Sequence, residues 1–225
     1  MTTEPEPAPR LSPWWMLAPA LLFIANFVGT LVVGSSSSSS SNAVYNATAI
    51  VGTIAVDLVL IAYVLFAAWI SRRPVAPTLA LRQTPLRPAL KLGAIALGLI
   101  VVANIVLEPI LHAGQRQGIA PTHDPRTTHQ WVVLSIAIVG LVLIAPAAEE
   151  LVFRGLGFAT MGRFALPVTT ALFAIAHGLP VLLVPVAIAG LLLGLVRTRT
   201  GSVYPGMGVH MSLNALALAL ALLFP

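Results

Sequence analysis

The chain consists of long stretches of apolar residues separated by short polar segments. A helix needs roughly 20 such residues to cross the hydrocarbon core of a bilayer. The alternation of Ala and Leu in 215–222 lies inside one of these stretches, so we interpret it as helix rather than strand. The pattern predicts an all-α fold, a polytopic membrane helical bundle with about seven transmembrane helices, of which the fifth and sixth are the hardest to separate. The predicted helices cover residues 14–33, 46–70, 89–111, 130–148, 164–179, 180–196 and 203–224.

The overall composition agrees with a membrane location. Hydrophobic residues make up 58% of the chain and the mean hydropathy is +0.95, whereas soluble domains are roughly 45–50% apolar. The chain has no cysteine, which excludes disulfides and thiolate metal sites. The first apolar stretch is too long for the core of a signal peptide, so we expect it to be retained. We therefore predict an integral membrane protein.

The positive charges indicate how the chain is oriented. Ten of the twelve Lys and Arg residues fall on the side of the N-terminus when the predicted helices are followed in order, and Arg116 and Arg126 fall on the other side. Because cytoplasmic loops carry an excess of Lys and Arg, we predict a cytoplasmic N-terminus. This asymmetry fits a bacterial inner membrane or an endoplasmic reticulum, and the short loops favour the former. It also accounts for the net charge of +5, so no nucleic-acid partner is expected.

Three polar segments lie between or before the predicted helices. Residues 1–13 are rich in Pro and Glu and are expected to form a disordered tail. Ser35–Ser41 is expected to be a flexible linker on the outer side. The third loop is interpreted as an ordinary solvated loop, with a metal site as the alternative. Its candidate ligands are His112, His123, Asp124 and His129.

Two adjacent glutamates at the end of the fourth apolar stretch are the first candidates for chemistry. Only 8% of the residues are charged, and a carboxylate at the centre of a bilayer costs about 2.5–3.5 kcal/mol on insertion scales. On a helix, Glu150 and Arg154 share a face, whereas Glu149 points about 100° away. Arg154 can hold Glu150, which leaves Glu149 free to act as a general base. A solvated Glu–Arg pair at the membrane interface is the alternative.

Later helices carry further polar residues. His177 ends the fifth predicted helix as a lone polar side chain, a setting more typical of a buried, hydrogen-bonded histidine than of a catalyst. His210 and Asn214 share one face of the last helix, so both can donate hydrogen bonds to one point. Hydrogen bonding between helices is the alternative for this pair.

These motifs occur in a recognisable order. Glu-Glu-x-x-x-Arg at 149–154, Phe-x-x-x-His at 173–177 and His-x-x-x-Asn at 210–214 together resemble the CPBP family of CAAX proteases and bacteriocin-processing enzymes, also called the Abi family. That family includes the type II CAAX prenyl endopeptidases. Residues 189–205 are also similar to the family's linker. Each motif alone is weak evidence for this family, but the three motifs in this order over 145–216 are specific for it.

The resemblance implies an intramembrane endopeptidase with a water-filled cavity open to the cytoplasmic side. Residues 14–129 would form N-terminal transmembrane helices and 130–225 a catalytic core. Glu149 would be the general base that activates water, and His177 would help to hold that water. Glu150 would be the second carboxylate of the motif, oriented by Arg154.

The resemblance also implies that His210 and Asn214 stabilise the oxyanion of the tetrahedral intermediate, a role in which one donor is typically worth 10²–10³-fold in rate. Metal dependence is left open. Glu149, His177 and His210 are an adequate set for zinc or another divalent metal, with water as the fourth ligand. However, the chain has no His-Glu-x-x-His motif, and a glutamate can activate water unaided.

Hydropathy places two of these residues far apart. Glu149 lies near the cytoplasmic end of the fourth predicted helix, whereas His177 lies at the far end of the fifth. They can meet if Glu149 lies deeper than the apolar pattern indicates, or if the fifth helix begins later and 157–164 lie along the interface. We expect the second arrangement, because Arg163 suits an interfacial position.

Three functions are compatible with these residues. The leading one is an intramembrane endopeptidase that cleaves a peptide or protein, prenylated or not, near the cytoplasmic face. A non-proteolytic scaffold or immunity protein of the same fold is the second. The third is a proton-coupled transporter using the glutamates with Asp57 and Glu108, although we find no inverted repeat or matched pair of interrupted helices. Pairing with a neighbouring helix is the simpler expectation for Asp57 and Glu108.

Overall fold

The computed structural model describes residues 10–33, 47–112 and 127–223. Within these ranges the regular structure is entirely helical, which confirms the all-α prediction. Residues 1–9 of the predicted tail, the serine linker, and His123 and Asp124 of the third loop lie outside the described residues.

The helices follow the predicted order. They are α1 (Leu17–Val33), α2 (Ala47–Ile70), α3 (Val75–Thr78), α4 (Leu86–Leu111), α5 (Thr128–Val139), α6 (Ala145–Glu150), α7 (Gly157–Met161), α8 (Ala165–Ala176), α9 (Leu183–Thr200) and α10 (Tyr204–Leu223). Two π-helical segments, Gly140–Ile144 and Leu151–Leu156, join α5, α6 and α7 into one continuous helix. The fifth and sixth predicted helices are separate, because a turn at His177 and Gly178 divides α8 from α9.

Five described segments are long and apolar enough to cross a membrane: Ile50–Ile70, Leu86–Leu111, Thr128–Ala176, Pro180–Thr200 and Tyr204–Leu223. Large apolar side chains such as Val59, Trp69, Ile105 and Ile110 point outward, as expected for a surface that contacts lipid. The chain is therefore an integral membrane protein with a polytopic helical bundle. The count of seven stays a prediction, because α1 is shorter and Thr128–Ala176 contains two of the predicted helices.

The fourth helix is longer than predicted. Instead of stopping at residue 148, the helix continues to Met161 and ends where Gly162 adopts φ 54°. The fifth helix begins at Ala165, and Gly157–Met161 continue the preceding helix, so the expectation of a separate interfacial segment over 157–164 is wrong for 157–161. Gly157, Ala159 and Thr160 are buried. Glu149 thus lies inside a continuous helix rather than at its end.

Close packing places α2 parallel to this continuous helix. Ile50 clusters with Leu134 and Ala137, and the side chain of Ile54 lies 2.8 Å from the position that a Cβ on Gly140 would take. One turn further along the same face, α2 packs against α6. The last helix, α10, packs against α6 and also against α9 and α4. The short helix α6, which carries the glutamates, therefore contacts both α2 and α10.

Candidate active site

A buried ion pair lies at the centre of the site. Arg154 Nη1 donates to Glu150 Oε1 at 2.8 Å, and both side chains are 0% exposed. The four-residue spacing places them on one face, as the sequence predicted, although the π segment begins between them. Because a buried charge needs a partner, this contact fixes both side chains.

Three other groups hold the Arg154 guanidinium. Nη2 donates to the carbonyl oxygen of Gly190 on α9 at 2.9 Å. The guanidinium carbon lies 4.4 Å from the ring centre of Phe173 and 5.8 Å from that of Phe153, which are cation–π distances. Gly190 allows this approach, since a Cβ there would lie 3.0 Å from the Phe173 ring. Arg154 therefore ties the continuous helix to α8 and α9.

His210 lies between the two glutamates. Its Nδ1 is 3.2 Å from Glu150 Oε1, and its Nε2 is 3.6 Å from Glu149 Oε2. Whichever ring nitrogen carries a proton therefore faces a carboxylate oxygen. The last helix reaches this position because Gly206 has no side chain: a Cβ there would lie 3.1 Å from Glu150 Oε2. Glu149, Glu150, Arg154 and His210 thus form one contiguous cluster.

The two glutamates differ in exposure. Glu150 is 0% exposed, whereas the Glu149 side chain is 26% exposed. Glu149 Oε2 is buried and has no hydrogen-bond partner within the described part of the chain. The structure therefore separates one carboxylate that is held by Arg154 and His210 from one whose side chain is partly exposed.

His177 lies beside this cluster and does not contact it directly. Its Nδ1 is 2.9 Å from the carbonyl oxygen of Phe173. Because a carbonyl only accepts, Nδ1 carries the proton, and a neutral His177 has an acceptor at Nε2. The Phe173 ring packs edge-on against both histidines, at 4.9 Å from His177 and 5.6 Å from His210. Phe173 thus links the two histidines by packing.

Asn214 makes a different contact from the one expected. Its Nδ2 donates to the carbonyl oxygen of Leu141, in the first π segment, at 2.8 Å. Asn214 lies one turn beyond His210 on α10, so both side chains face the continuous helix. In this structure Asn214 connects two helices, which is the alternative that the sequence left open.

The three candidate metal ligands do not fit a metal site. Among the described residues, no group of three His, Asp or Glu side chains is placed to hold a metal ion. Both nitrogens of His210 face carboxylates, and the Phe173 ring lies against both His210 and His177. We therefore derive no step that passes through a metal.

Two glycines of the site could not be identified from the sequence. The sequence also did not indicate that Asp57 lies near Glu149. Gly190 and Gly206 lie where a side chain would displace Phe173 or crowd Glu150, and no local pattern marks such positions. Asp57 is 7% exposed and follows Ile50 and Ile54 on the buried face of α2. It is close enough to Glu149 for the two carboxylates to interact electrostatically. Its position in the apolar stripe of α2 was the available signal.

A cavity of about 370 Å³ lies elsewhere, beside the turn that ends the continuous helix. It contains none of the candidate residues. It is lined by Arg10, Thr160, Met161, Gly162, Arg163 and Phe164.

Comparison with known families agrees with the motifs. Residues 130–216 match the family model described as type II CAAX prenyl endopeptidase Rce1-like. This segment contains the whole cluster together with His177 and Asn214. The match confirms the resemblance to the CPBP family of CAAX proteases and supports a protease of this general kind. No match was found among curated proteins or among solved structures.

Proposed function

We propose that this protein is an intramembrane endopeptidase in which Glu149 activates a water molecule to hydrolyse a peptide bond near the cytoplasmic face. The observation that carries this proposal is that the two glutamates differ in their contacts and in their exposure. Glu150 is fixed by Arg154 and His210, whereas Glu149 is partly exposed beside His210. A general base needs access to water, and Glu149 is the one of the two glutamates whose side chain is partly exposed.

The reaction follows from these positions. Glu149 takes a proton from water, and the resulting hydroxide attacks the carbonyl carbon of the scissile peptide bond. His210, whose Nε2 lies 3.6 Å from Glu149 Oε2 and so outside hydrogen-bond distance, stabilises the oxyanion that forms together with Asn214. Glu149 then gives the proton to the leaving amine nitrogen, the C–N bond breaks, and a carboxylic acid and an amine are released. The acceptor Nε2 of His177 helps to hold the water before attack.

The orientation of the chain defines where cleavage takes place. Arg10 precedes α1, and Arg72, Arg73 and Arg82 lie between α2 and α4, at the ends that positive charge assigns to the cytoplasm. We propose that the N-terminus is cytoplasmic and that the protein resides in a bacterial inner membrane. The substrate is a membrane-associated peptide or protein, and a prenylated cysteine near its C-terminus is one form to test.

Cleavage of a quenched fluorescent peptide library tests the proposal. The purified protein is assayed with peptides that carry a farnesylated cysteine and with matched peptides that do not. Glu149→Gln is expected to lower kcat by about 10²–10⁴-fold, the usual contribution of a general base. Glu108→Gln makes the same chemical change at the outer end of α4, far along the chain from the motifs, and is expected to keep full activity.

A chelator provides the second arm of the experiment. Cleavage is expected to persist after chelation, and a loss that added zinc restores would contradict a glutamate-only mechanism. A folded wild type that cuts no peptide, together with a Glu149→Gln variant that retains its activity in cells, would favour the scaffold function instead.

A further inference from the structure

The bond between Asn214 and Leu141 depends on a carbonyl that the helix itself does not use. In an α-helix, Leu141 O would accept from the N–H of Ala145. Here Ala145 N–H donates to Gly140 O instead, as in a π-helix. The π-helical partner of Leu141 O would be residue 146, and this residue is Pro146, which has no N–H. Leu141 O is therefore open to a donor from another helix.

Asn214 supplies that donor. Its amide nitrogen carries two hydrogens, and the bond to Leu141 O at 2.8 Å uses one of them. Because the amide group is planar, this single bond restricts the direction of the second hydrogen. His210, one turn earlier on α10, is oriented by the two glutamates. The two oxyanion donors are thus held by separate contacts.

We propose that Pro146 is a positioning residue: by lacking an N–H it keeps the Leu141 carbonyl available to orient Asn214. The catalytic part of this inference rests on the proposed function, whereas the link between Pro146 and Asn214 does not. Pro146 lies within α6, three residues before Glu149, and is buried. The proline therefore acts on Asn214, which belongs to another helix, through the backbone carbonyl of Leu141.

The link is tested by a double-mutant cycle on thermal stability in detergent. Asn214→Ala leaves Leu141 O without a donor, so the unfolding midpoint is expected to fall. Pro146→Ala restores an N–H that can reach Leu141 O, so the variant with both changes is expected to recover at least half of that fall. The two substitutions should therefore be strongly non-additive.

Pro109 provides the matched control, because it also lies inside a helix, near the end of α4. Pro109→Ala is expected to shift the midpoint equally in the wild type and in the Asn214→Ala variant. If Pro146→Ala is additive with Asn214→Ala in the same way, the link between Pro146 and Asn214 is refuted.

The catalytic part is tested by steady-state kinetics on a cleaved peptide. Asn214→Ala is expected to lower kcat by about 10²–10³-fold. Pro146→Ala should lower kcat with little change in KM, and should add no further loss to Asn214→Ala. An unchanged kcat in Pro146→Ala would overturn the positioning role. A wild type that cleaves nothing would remove the catalytic part together with the proposed function, while the stability cycle still decides the link.

Discussion

At the scale of single residues, Arg154 makes three different kinds of contact in the cluster. It pairs with Glu150, donates to the Gly190 carbonyl, and stacks on Phe173. A guanidinium can do all three at once because it is planar and presents several donors in fixed directions. An ammonium group has neither property, so this site requires arginine rather than positive charge alone.

Replacing Arg154 therefore tests the architecture of the site. Arg154→Ala is expected to lower the free energy of unfolding by about 3–5 kcal/mol, because it leaves Glu150 buried without its partner. Arg154→Lys is expected to recover only a small part of this loss, since Lys lacks the planar fork. Unfolding is followed by heating in detergent. Arg163→Lys, at an exposed position, is the control and should have no effect. Full stability in Arg154→Lys would mean that the Gly190 and Phe173 contacts contribute nothing.

The sequence predicted part of this cluster from local spacing. Glu150 and Arg154 are one helical turn apart, so their pairing follows from helix geometry alone. The contact of His210 with both glutamates joins residues that are 60 positions apart or more, and only the packing of α10 against α6 brings them together. The family resemblance indicated that these residues belong to one site, but it did not indicate which ones touch.

At the scale of elements, two π segments flank the short α6 that carries the glutamates. In each segment one carbonyl accepts a hydrogen bond from a side chain of another helix. Asn214 donates to Leu141 O, and Arg197 Nε donates to Arg154 O at 3.1 Å. π-helical turns occur frequently at functional sites. The apolar pattern does not reveal them, because a π turn adds only one residue to a helix whose faces are apolar all round.

The contact between α8 and α9 also determines the shape of the site. Gly190→Ala would place a Cβ 3.0 Å from the Phe173 ring, which touches Arg154 and both histidines. In a helix Gly→Ala usually stabilises by roughly 0.5–1 kcal/mol. We expect Gly190→Ala to lower both the unfolding temperature and kcat instead, because the ring has to move.

Gly98→Ala on α4 is the matched control for this substitution. No atom lies within 4 Å of its added Cβ, so the ordinary helix preference should apply and activity should be retained. Thermal unfolding and peptide cleavage are measured on both variants. Equal behaviour of the two would show that the Phe173 ring is not confined at Gly190.

At the scale of the whole molecule, hydropathy predicted the helical bundle but misplaced the end of one helix. The apolar stretch stops at Glu149, and a run of polar residues normally marks the membrane surface. Here Glu150 and Arg154 neutralise each other inside the bundle, so the helix continues to Met161. An apolar scale scores each residue alone and therefore does not register that the two charges are paired.

The orientation of the bundle in the membrane can be tested with single cysteines, because the chain has none of its own. Gln83 and His129 are exposed and lie next to opposite ends of the predicted spans, before α4 and at the start of α5. With a cytoplasmic N-terminus, His129→Cys should react with a membrane-impermeant maleimide in intact cells. Gln83→Cys should react only after the membrane is permeabilised. The reverse labelling pattern would place the N-terminus outside, and equal labelling of both in intact cells would contradict the predicted alternation of helices. Because neither substitution removes a Lys or Arg, the charge asymmetry that orients the chain stays intact in both variants.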